Sequence, residues 1–242
     1  MYIMIQKNTV TEGDALELIQ GIEDQSMDLI ILDPDYQDWK DLVKGGIIEQ
    51  AVRVLKSSGN IICFTKQPFD LPLRIHVDKF FRREFIWTFE NGGAWVSRRM
   101  PLVSFQKFYW LTISKDFYVN VRTGRDYNKK TKPMKRTNKV FEGYIAEGRN
   151  FELSEEGTWI RDHYHFNKPH TGKIPSKPAD LFEIIVRCFC PEGGTVLDPF
   201  FGSGTSGKVA KSIGRNFIAF EKDPSLIAKF RNHDDPGSQT AD

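Results

Sequence analysis

The sequence predicts an α/β fold with a mostly parallel sheet and helices on both faces. Two distant segments carry this prediction: an apolar run over 29–32 leads into Asp33-Pro34-Asp35-Tyr36, and a run over 196–197 leads into an acid, a proline and a glycine-rich loop. Short apolar runs bounded by such breakers are typical of buried parallel strands. Ligands bind beyond the carboxyl ends of such strands, so the two loops are expected to meet at one sheet edge.

The bulk properties favour one globular domain spanning residues 1–242. The 40% hydrophobic content suffices for a core, and no apolar run reaches the length of a membrane span. Three cysteines provide no disulfide framework, which favours a reducing, cytoplasmic compartment. The net charge of +2 is small, so any affinity for a polyanion depends on local patches.

The elements follow from apolar spacing and from helix stop signals. Helices are predicted over 14–21, 42–55, 68–80, 178–190 and 205–213, and strands over 1–6, 28–33, 60–65, 84–89, 105–114, 195–197 and 217–220. Regular α/β order fails from about residue 115 to 173, where the chain is polar and rich in glycine. An insertion over about 92–170 is therefore predicted within the single domain.

The glycine-rich loop predicts a cofactor that contains a nucleoside. Gly202-Ser203-Gly204-Thr205-Ser206-Gly207 matches the dinucleotide fingerprint G-x-G-x-x-G, follows a predicted strand and opens a predicted helix. Glu221 follows Gly204 by 17 residues, at the end of the next strand. A carboxylate at that place can accept hydrogen bonds from both ribose hydroxyls.

Three other interpretations of this loop stay open. A phosphate loop would need Ser or Thr where the sequence has Val209, and a plain helix–strand turn would need no ligand. A nicotinamide dehydrogenase would place its pyrophosphate near Asp198, which would repel it. A carboxylate there suits a cationic cofactor with an ammonium and a sulfonium group, such as S-adenosylmethionine (SAM).

The first loop has the groups that a transfer to an exocyclic amine requires. The Asp33 carboxylate and the Pro34 carbonyl can accept the two hydrogens of an amine whose lone pair is delocalised into its ring. The Tyr36 ring can stack on a base taken out of its duplex. The competing interpretation is an ordinary turn at a strand end.

A basic run follows in the predicted insertion. Between residues 122 and 139 there are eight basic side chains and one acid, Asp126. Such an excess suits a phosphate backbone, although a solvated loop would show the same composition. The pair Arg98-Arg99 lies in the same insertion.

Taken together, these motifs resemble the amino-methyltransferases of DNA, the adenine-N6 and cytosine-N4 family. That family has an Asp/Asn/Ser-Pro-Pro-Tyr/Phe loop and a Phe-x-Gly-x-Gly loop, and the catalytic loop comes first in its circularly permuted β-type members. Gly13-Asp14 and Pro175-Ser176-Lys177-Pro178 resemble two further family segments. The resemblance covers most of residues 10–115 and 170–230. It implies a permuted, Rossmann-like SAM-dependent methyltransferase sheet with a DNA-recognition insertion.

The resemblance also implies roles for individual residues. Asp33 and the Pro34 carbonyl hold the target amine, and Tyr36 stacks on the flipped base. The residues implied to bind SAM are Lys177, Asp198, Phe200, Gly202, Ser203, Gly204, Thr205, Glu221 and Asp14. The residues expected to bind DNA are Arg98, Arg99, Arg122, Arg125, Lys129, Lys130, Lys132, Lys135, Arg136 and Lys139. No metal is implied.

The favoured reaction is methylation of adenine N6 in double-stranded DNA, because aspartate in the first loop position is commoner among adenine enzymes of the family. Cytosine-N4 methylation, an RNA substrate and a catalytically inactive SAM-binding protein are the alternatives. Asp35 stands where the family usually has proline. The hypothesis is that the chain retains methyltransferase activity despite this difference. A homodimer and a cognate restriction enzyme are left open as partners.

Overall fold

A computed structural model describes residues 6–90, 103–122, 160–169 and 176–234. The strands in these ranges are β1 (Thr9–Glu12), β2 (Met27–Leu32), β3 (Leu55–Thr65), β4 (Phe81–Thr88), β5 (Phe105–Leu111), β6 (His163–His165), β7 (Thr195–Asp198) and β8 (Asn216–Glu221). The helices are α1 (Ala15–Leu18), α2 (Trp39–Lys44), α3 (Ile47–Val54), α4 (Asp70–His76), α5 (Ala179–Phe189), α6 (Thr205–Ser212) and α7 (Pro224–Asp234).

The eight strands described form one mixed sheet in the order β1-β8-β7-β2-β3-β5-β4-β6. Strands β1, β8, β7, β2 and β3 are mutually parallel, and β5 pairs antiparallel with both β3 and β4. Strand β4 therefore runs in the same direction as β3, and β6 is parallel to β4. All strands described except β5 thus end at one edge, which we call the carboxyl edge.

Helices cover both faces of the sheet, and the central strands show why. Every residue of β2 is buried. Leu29 and Ile31 join a core cluster with α5 and α6, whereas Ile30 and Leu32 join a cluster with α2 and α3 on the other face. A strand that is apolar on both sides requires cover on both sides. The predicted fold class, a mostly parallel α/β sheet between helices, is confirmed.

Several predicted boundaries were wrong. The helix predicted over 42–55 is two helices, because Gly46 adopts the left-handed conformation (φ 85°) and separates α2 from α3. Strand β3 begins at Leu55, so the Ser57-Ser58-Gly59 segment predicted to end a helix lies within a strand. The strand predicted over 1–6 lies almost entirely outside the described residues.

Two short strands and one helix were not predicted. In β1 only Val10 is buried and in β6 only Tyr164, so neither strand shows an apolar run. Helix α7 closes over Phe201 and Phe217, and its Phe230 ring contacts both. Strands β5 and β6 lie inside the range predicted as an insertion, and the domain organisation otherwise stays a prediction. No helix in the described ranges is long and apolar enough to cross a bilayer.

Candidate active site

Four charged residues lie where neighbouring strands end at the carboxyl edge. Glu221 and Asp198 are the last residues of β8 and β7, Asp33 follows β2, and Lys66 follows β3. These four strands are consecutive in the sheet. The two loops that the sequence analysis singled out therefore do meet at one edge, as the parallel arrangement predicts.

Asp33, Tyr36 and Lys177 form a hydrogen-bonded triangle. The Tyr36 hydroxyl donates to Asp33 Oδ1 at 3.2 Å, and Lys177 Nζ forms an ion pair with Asp33 Oδ2. Lys177 Nζ also lies 3.4 Å from the Tyr36 hydroxyl. Burial and the neighbouring Asp33 carboxylate raise the pKa of Tyr36, so its phenol remains a hydrogen-bond donor. The triangle fixes the tyrosine ring beside the carboxylate.

Lys177 was expected to hold the methionine end of SAM, and the structure places its ammonium on Asp33 instead. The two residues are 144 positions apart in sequence, and both side chains are largely buried. A role of Lys177 toward the cofactor stays a prediction. The observed contact ties the segment before α5 directly to the first loop.

Asp35 has a backbone conformation that a proline could also adopt. Its φ of −59° and ψ of 129° lie in the range that proline adopts, and its side chain is exposed. Its carbonyl accepts a hydrogen bond from Asp38 N at 2.9 Å. The departure from the family pattern therefore leaves the loop conformation compatible with proline and adds an exposed charge.

Asp198 is a buried carboxylate held by its own loop. It is 4% exposed, its Oδ1 accepts from Phe200 N at 3.0 Å, and its Oδ2 accepts from the Ser206 hydroxyl. Burial raises the pKa of Asp198 to about 7, the two hydrogen bonds oppose this shift, and Asp33 and Glu221 add to it. Three carboxylates thus lie at the ends of the three adjacent strands β8, β7 and β2, a concentration of negative charge that suits a cation.

The glycine loop begins helix α6. Gly202 (φ 54°) and Gly204 (φ 78°) both adopt the left-handed conformation, and Gly204 is the N-cap of α6. Gly202 N donates to Glu221 Oε2 at 2.7 Å, while Glu221 Oε1 accepts from Asp223 N at 2.9 Å. Each carboxylate oxygen has a second lone pair for a further donor.

The remaining predicted cofactor residues differ in position. Phe200 is half-buried against the α2–α3 side of the core, and the Ser203 and Thr205 hydroxyls lie 3.0 Å apart. Asp14 caps helix α1 by accepting from Leu16 N at 2.8 Å and Glu17 N at 3.3 Å. This capping role explains why an aspartate is favourable at position 14. A role of Asp14 in binding the cofactor stays a prediction.

Most of the residues expected to bind DNA lie outside the described ranges: Arg98, Arg99, Arg125, Lys129, Lys130, Lys132, Lys135, Arg136 and Lys139. Arg122 is described, and its carbonyl lies 3.9 Å from Cys188 Sγ near the end of α5. Four residues earlier in the chain, the backbone N–H of Tyr118 donates to the carbonyl of Ser58, which lies near the start of β3. The Arg122 backbone therefore lies towards the amino ends of the parallel strands, away from Asp33.

Sequence reasoning missed two residues of the site. Ser206 was noted only as part of the glycine pattern, although its hydroxyl binds Asp198. Lys66 is a single lysine after a strand, and its Nζ lies 4.6 Å from the centre of the Tyr36 ring. The position directly after an apolar strand was the available signal for Lys66. The described residues contain no cluster of three or more His, Cys, Asp or Glu with metal-binding geometry.

A mostly parallel sheet with a glycine loop, an acidic cofactor edge and an Asp-Pro-x-Tyr loop defines the class of SAM-dependent methyltransferases. The chain belongs to the N6/N4 methyltransferase family, whose model, described as DNA methylase, matches residues 27–231. It is thus a DNA methyltransferase of that family, and SAM is the cofactor that the family implies.

Similar proteins cover most of the chain. M.HinfI from Haemophilus influenzae is 26% identical over 91% of this chain and 66% of its own length, and M1.MboII from Moraxella bovis is 23% identical over 93% and 95%. The DNA adenine methyltransferase YhdJ from Escherichia coli is 28% identical over 92% of this chain and 81% of its own length. The chain therefore spans about two thirds of M.HinfI and nearly all of M1.MboII.

Solved structures show the same fold. The M1.HpyAVI–SAM complex has a TM-score of 0.63 at 21% identity, covering 93% of this chain and 98% of that one. The PvuII DNA methyltransferase, which is cytosine-N4-specific, has a TM-score of 0.72 at 15% identity, covering 98% and 89%. At these identities the likeness establishes the architecture alone.

Proposed function

We propose that this chain transfers a methyl group from SAM to the N6 amine of an adenine flipped out of double-stranded DNA. The observation that carries the proposal is the Asp33–Tyr36–Lys177 triangle on the same sheet edge as the glycine loop. A carboxylate that could accept from an amine, a ring that could stack on a base and the glycine loop all follow strands that end at this edge, which supports the proposal. A homodimer and a cognate restriction enzyme stay untested predictions.

The residues at the acidic end of the edge fit SAM. When bound, SAM supplies an electrophilic methyl group on a positively charged sulfur. Asp198 ends β7, between β8, which ends at Glu221, and β2, which precedes Asp33, and the left-handed Gly202 and Gly204 leave backbone without side chains in the loop that follows. Glu221 would accept from ribose hydroxyls, and Asp198 would face the ammonium group, because buried carboxylates are stabilised by a cation.

The first loop acts on the amine rather than on the cofactor. Asp33 and the Pro34 carbonyl would accept the two amine hydrogens, which favours a pyramidal nitrogen with its lone pair directed away from the ring. Tyr36 would hold the base by stacking, with its hydroxyl bound to Asp33. Positioning and preorganised electrostatics are expected to supply most of the rate enhancement.

Adenine is favoured over cytosine by family association. Aspartate is the first residue of the loop, and a DNA adenine methyltransferase, YhdJ, is similar over 92% of this chain. The likeness to the cytosine-N4-specific PvuII enzyme is one of fold. Either amine could be held by the same two acceptors, so the base has to be measured.

The test is to incubate the purified chain with isotopically labelled SAM and unmethylated DNA, digest the DNA to nucleosides and analyse them by mass spectrometry. Label in N6-methyldeoxyadenosine is the expected result. Label in N4-methyldeoxycytidine would keep the mechanism and change the base. No label, with SAM binding intact, would contradict DNA methylation and favour the inactive or RNA-directed alternatives.

Binding of SAM is expected to tighten as the pH rises towards 7. Asp198 has a pKa of about 7 in the free protein, so below pH 7 it is largely protonated. A cation binds the carboxylate form, and SAM binding then releases a proton, which costs affinity at low pH. The expected change in Kd is up to about tenfold per pH unit below pH 7, levelling off above it. Calorimetry at several pH values between 5.5 and 7.5 measures this.

Asp198→Asn is the matched control for this pH dependence. The amide keeps an oxygen that can accept from Ser206 or Phe200 but cannot ionise. The ionisable groups of SAM titrate in the same way with both proteins. The difference between the two pH profiles of Kd therefore reports the ionisation of Asp198. Equal pH profiles for the two proteins would show that Asp198 does not interact with the charge of the cofactor.

A further inference from the structure

Strand β5 carries a buried hydrogen-bond donor that is left unpaired. Gln106 is half-buried, and its Nε2 atom is buried and forms no hydrogen bond within the described residues. Thr65 Oγ1 is the other buried side-chain atom of this kind in the described ranges. A buried polar group without a partner destabilises the folded chain, so its presence calls for an explanation other than folding.

Gln106 faces the side of the sheet that α5 covers. It pairs with Trp87 of β4, and side chains alternate between the faces along β5, so Gln106 shares a face with Phe108. Trp87 and Phe108 both belong to the core cluster that includes α5. Thr65 follows Phe64, another member of that cluster, on β3, and therefore faces the opposite side, towards α2 and α3.

The ion pair between Asp33 and Lys177 lies on the same face as Gln106. Lys177 Nζ is 4.5 Å from the centre of the Phe64 ring, and the centres of the Phe64 and Phe108 rings are 5.2 Å apart. Gln106 is two residues nearer the carboxyl edge than Phe108, because β5 begins at that edge. Strand β5 is two strands from β2, which leads to Asp33, and this corresponds to about 10 Å at the usual strand spacing.

The register of β3 and β5 also places Gln106 near the Tyr36 ring. Lys107 pairs with Thr65, so Gln106 lies at the level of Lys66, the first residue after β3. Lys66 Nζ lies 4.6 Å from the centre of the Tyr36 ring. Side chains at the same level of neighbouring strands have their Cβ atoms about 5 Å apart. A base that stacks on Tyr36 would therefore come within about one strand of Gln106.

Resting on the proposed function, we propose that Gln106 binds the flipped adenine by donating a hydrogen bond from Nε2 to a ring nitrogen beside the target amine, N1 or N7. Both nitrogens are acceptors, and flipped bases are recognised through hydrogen bonds to such edges. Asp33 and the Pro34 carbonyl accept the amine hydrogens, so a ring nitrogen needs a separate donor. The last torsion of a glutamine side chain is soft, so the amide can turn towards the base.

The experiment replaces Gln106 with methionine, which keeps an unbranched side chain and removes the amide. The value of kcat/KM for adenine methylation is expected to fall about tenfold, because a hydrogen bond is lost and its acceptor on the base stays unpaired. The Tm should not fall, because the variant also removes the unpaired donor described above. Thr65→Val removes the corresponding atom on the opposite face, and as the matched control it should keep the wild-type kcat/KM.

Deazaadenines at the target position identify the acceptor. In 1-deazaadenine and 7-deazaadenine a C–H group replaces N1 or N7, and one of the two analogues should lose the hydrogen bond from Gln106. The fall in kcat/KM caused by that analogue should be about tenfold smaller in Gln106→Met than in the wild type, because the donor is already absent. Any effect of the analogue on the amine itself is common to both proteins and cancels in this comparison.

Two results would overturn this role while the proposed function stands. One is a Gln106→Met variant with the wild-type kcat/KM. The other is a variant in which each analogue causes the same fall in kcat/KM as in the wild type, which would show that Gln106 acts through the fold and does not touch the base. A wild-type chain that methylates no adenine in DNA would overturn the proposed function, and this role with it.

Discussion

Replacing Asp33 with alanine is expected to lower the rate of methyl transfer by about 10²- to 10³-fold, which is typical for loss of one preorganised group at a reacting centre. Asp33 presents two oxygens that are already oriented, one by the Tyr36 hydroxyl and one by Lys177. Without the carboxylate, the amine loses an acceptor, and its lone pair stays in the ring. Single-turnover kinetics with labelled SAM measure the rate of the chemical step.

Asp35→Ala is the matched control for Asp33→Ala. Both variants remove one carboxylate from the same loop, but Asp35 is exposed and its side chain makes no capping hydrogen bond. Asp35→Ala should methylate within a few-fold of the wild type and should unfold at the same temperature. A normal rate in Asp33→Ala would show that Asp33 does not hold the amine.

Loss of Asp33 also leaves the Lys177 ammonium without its partner. The folded protein is then less stable, and this alone would reduce the measured activity. Lys177 is 12% exposed, and removing one partner of a largely buried pair is destabilising. The double variant Asp33→Ala/Lys177→Met removes both charges. It should unfold at a higher temperature than Asp33→Ala and remain inactive, because stability is recovered and the acceptor is not. Recovery of methylation in the double variant would assign the defect to the unpaired lysine.

The parts of the fold that were predictable from sequence are those that are buried on both sides. Strands β2 and β8 were predicted to within one residue at each end, because the core on either face demands a continuous apolar run. Strand β6 could not be predicted, because it has three residues and only Tyr164 is buried. Its place in the sheet depends on pairing with β4 alone.

The residues of the candidate site were predictable where they lie close together in one loop and form a recognisable sequence motif. The two loops were found because each combines breakers with charged or aromatic residues over a few positions. The ion pair between Lys177 and Asp33 joins residues 144 positions apart, and Lys66, after β3, contacts the ring of Tyr36, which follows the neighbouring strand β2. Such contacts depend on the order of the strands in the sheet, which cannot be deduced from the spacing of residues within one segment of the sequence.

Gly204→Ala is expected to destabilise the protein by about 2–5 kcal/mol. The left-handed φ of 78° costs a side chain about 1–2 kcal/mol. An alanine Cβ would also lie 2.4 Å from Phe230 Cδ2 and 3.1 Å from Phe201 Cε1, and forced repacking costs about 1–3 kcal/mol more. Because the Phe230 ring packs edge-on against Phe201 with 4.8 Å between ring centres, its displacement would loosen α7. For a chain of this size the expected fall in Tm is roughly 4–20 °C.

Gly193→Ala separates the backbone cost from the steric cost. Gly193 has a similar φ of 70°, and a Cβ there meets no atom within 4 Å. This variant should therefore lose only the roughly 1–2 kcal/mol of the left-handed conformation and should bind SAM as the wild type does. Gly204→Ala should in addition weaken SAM binding, because Gly204 is the N-cap of α6 and its displacement moves the cofactor loop. Equal Tm values for the two variants would show that the Phe230 ring can move aside without destabilising the protein. The close contact would then not explain why glycine is present at position 204.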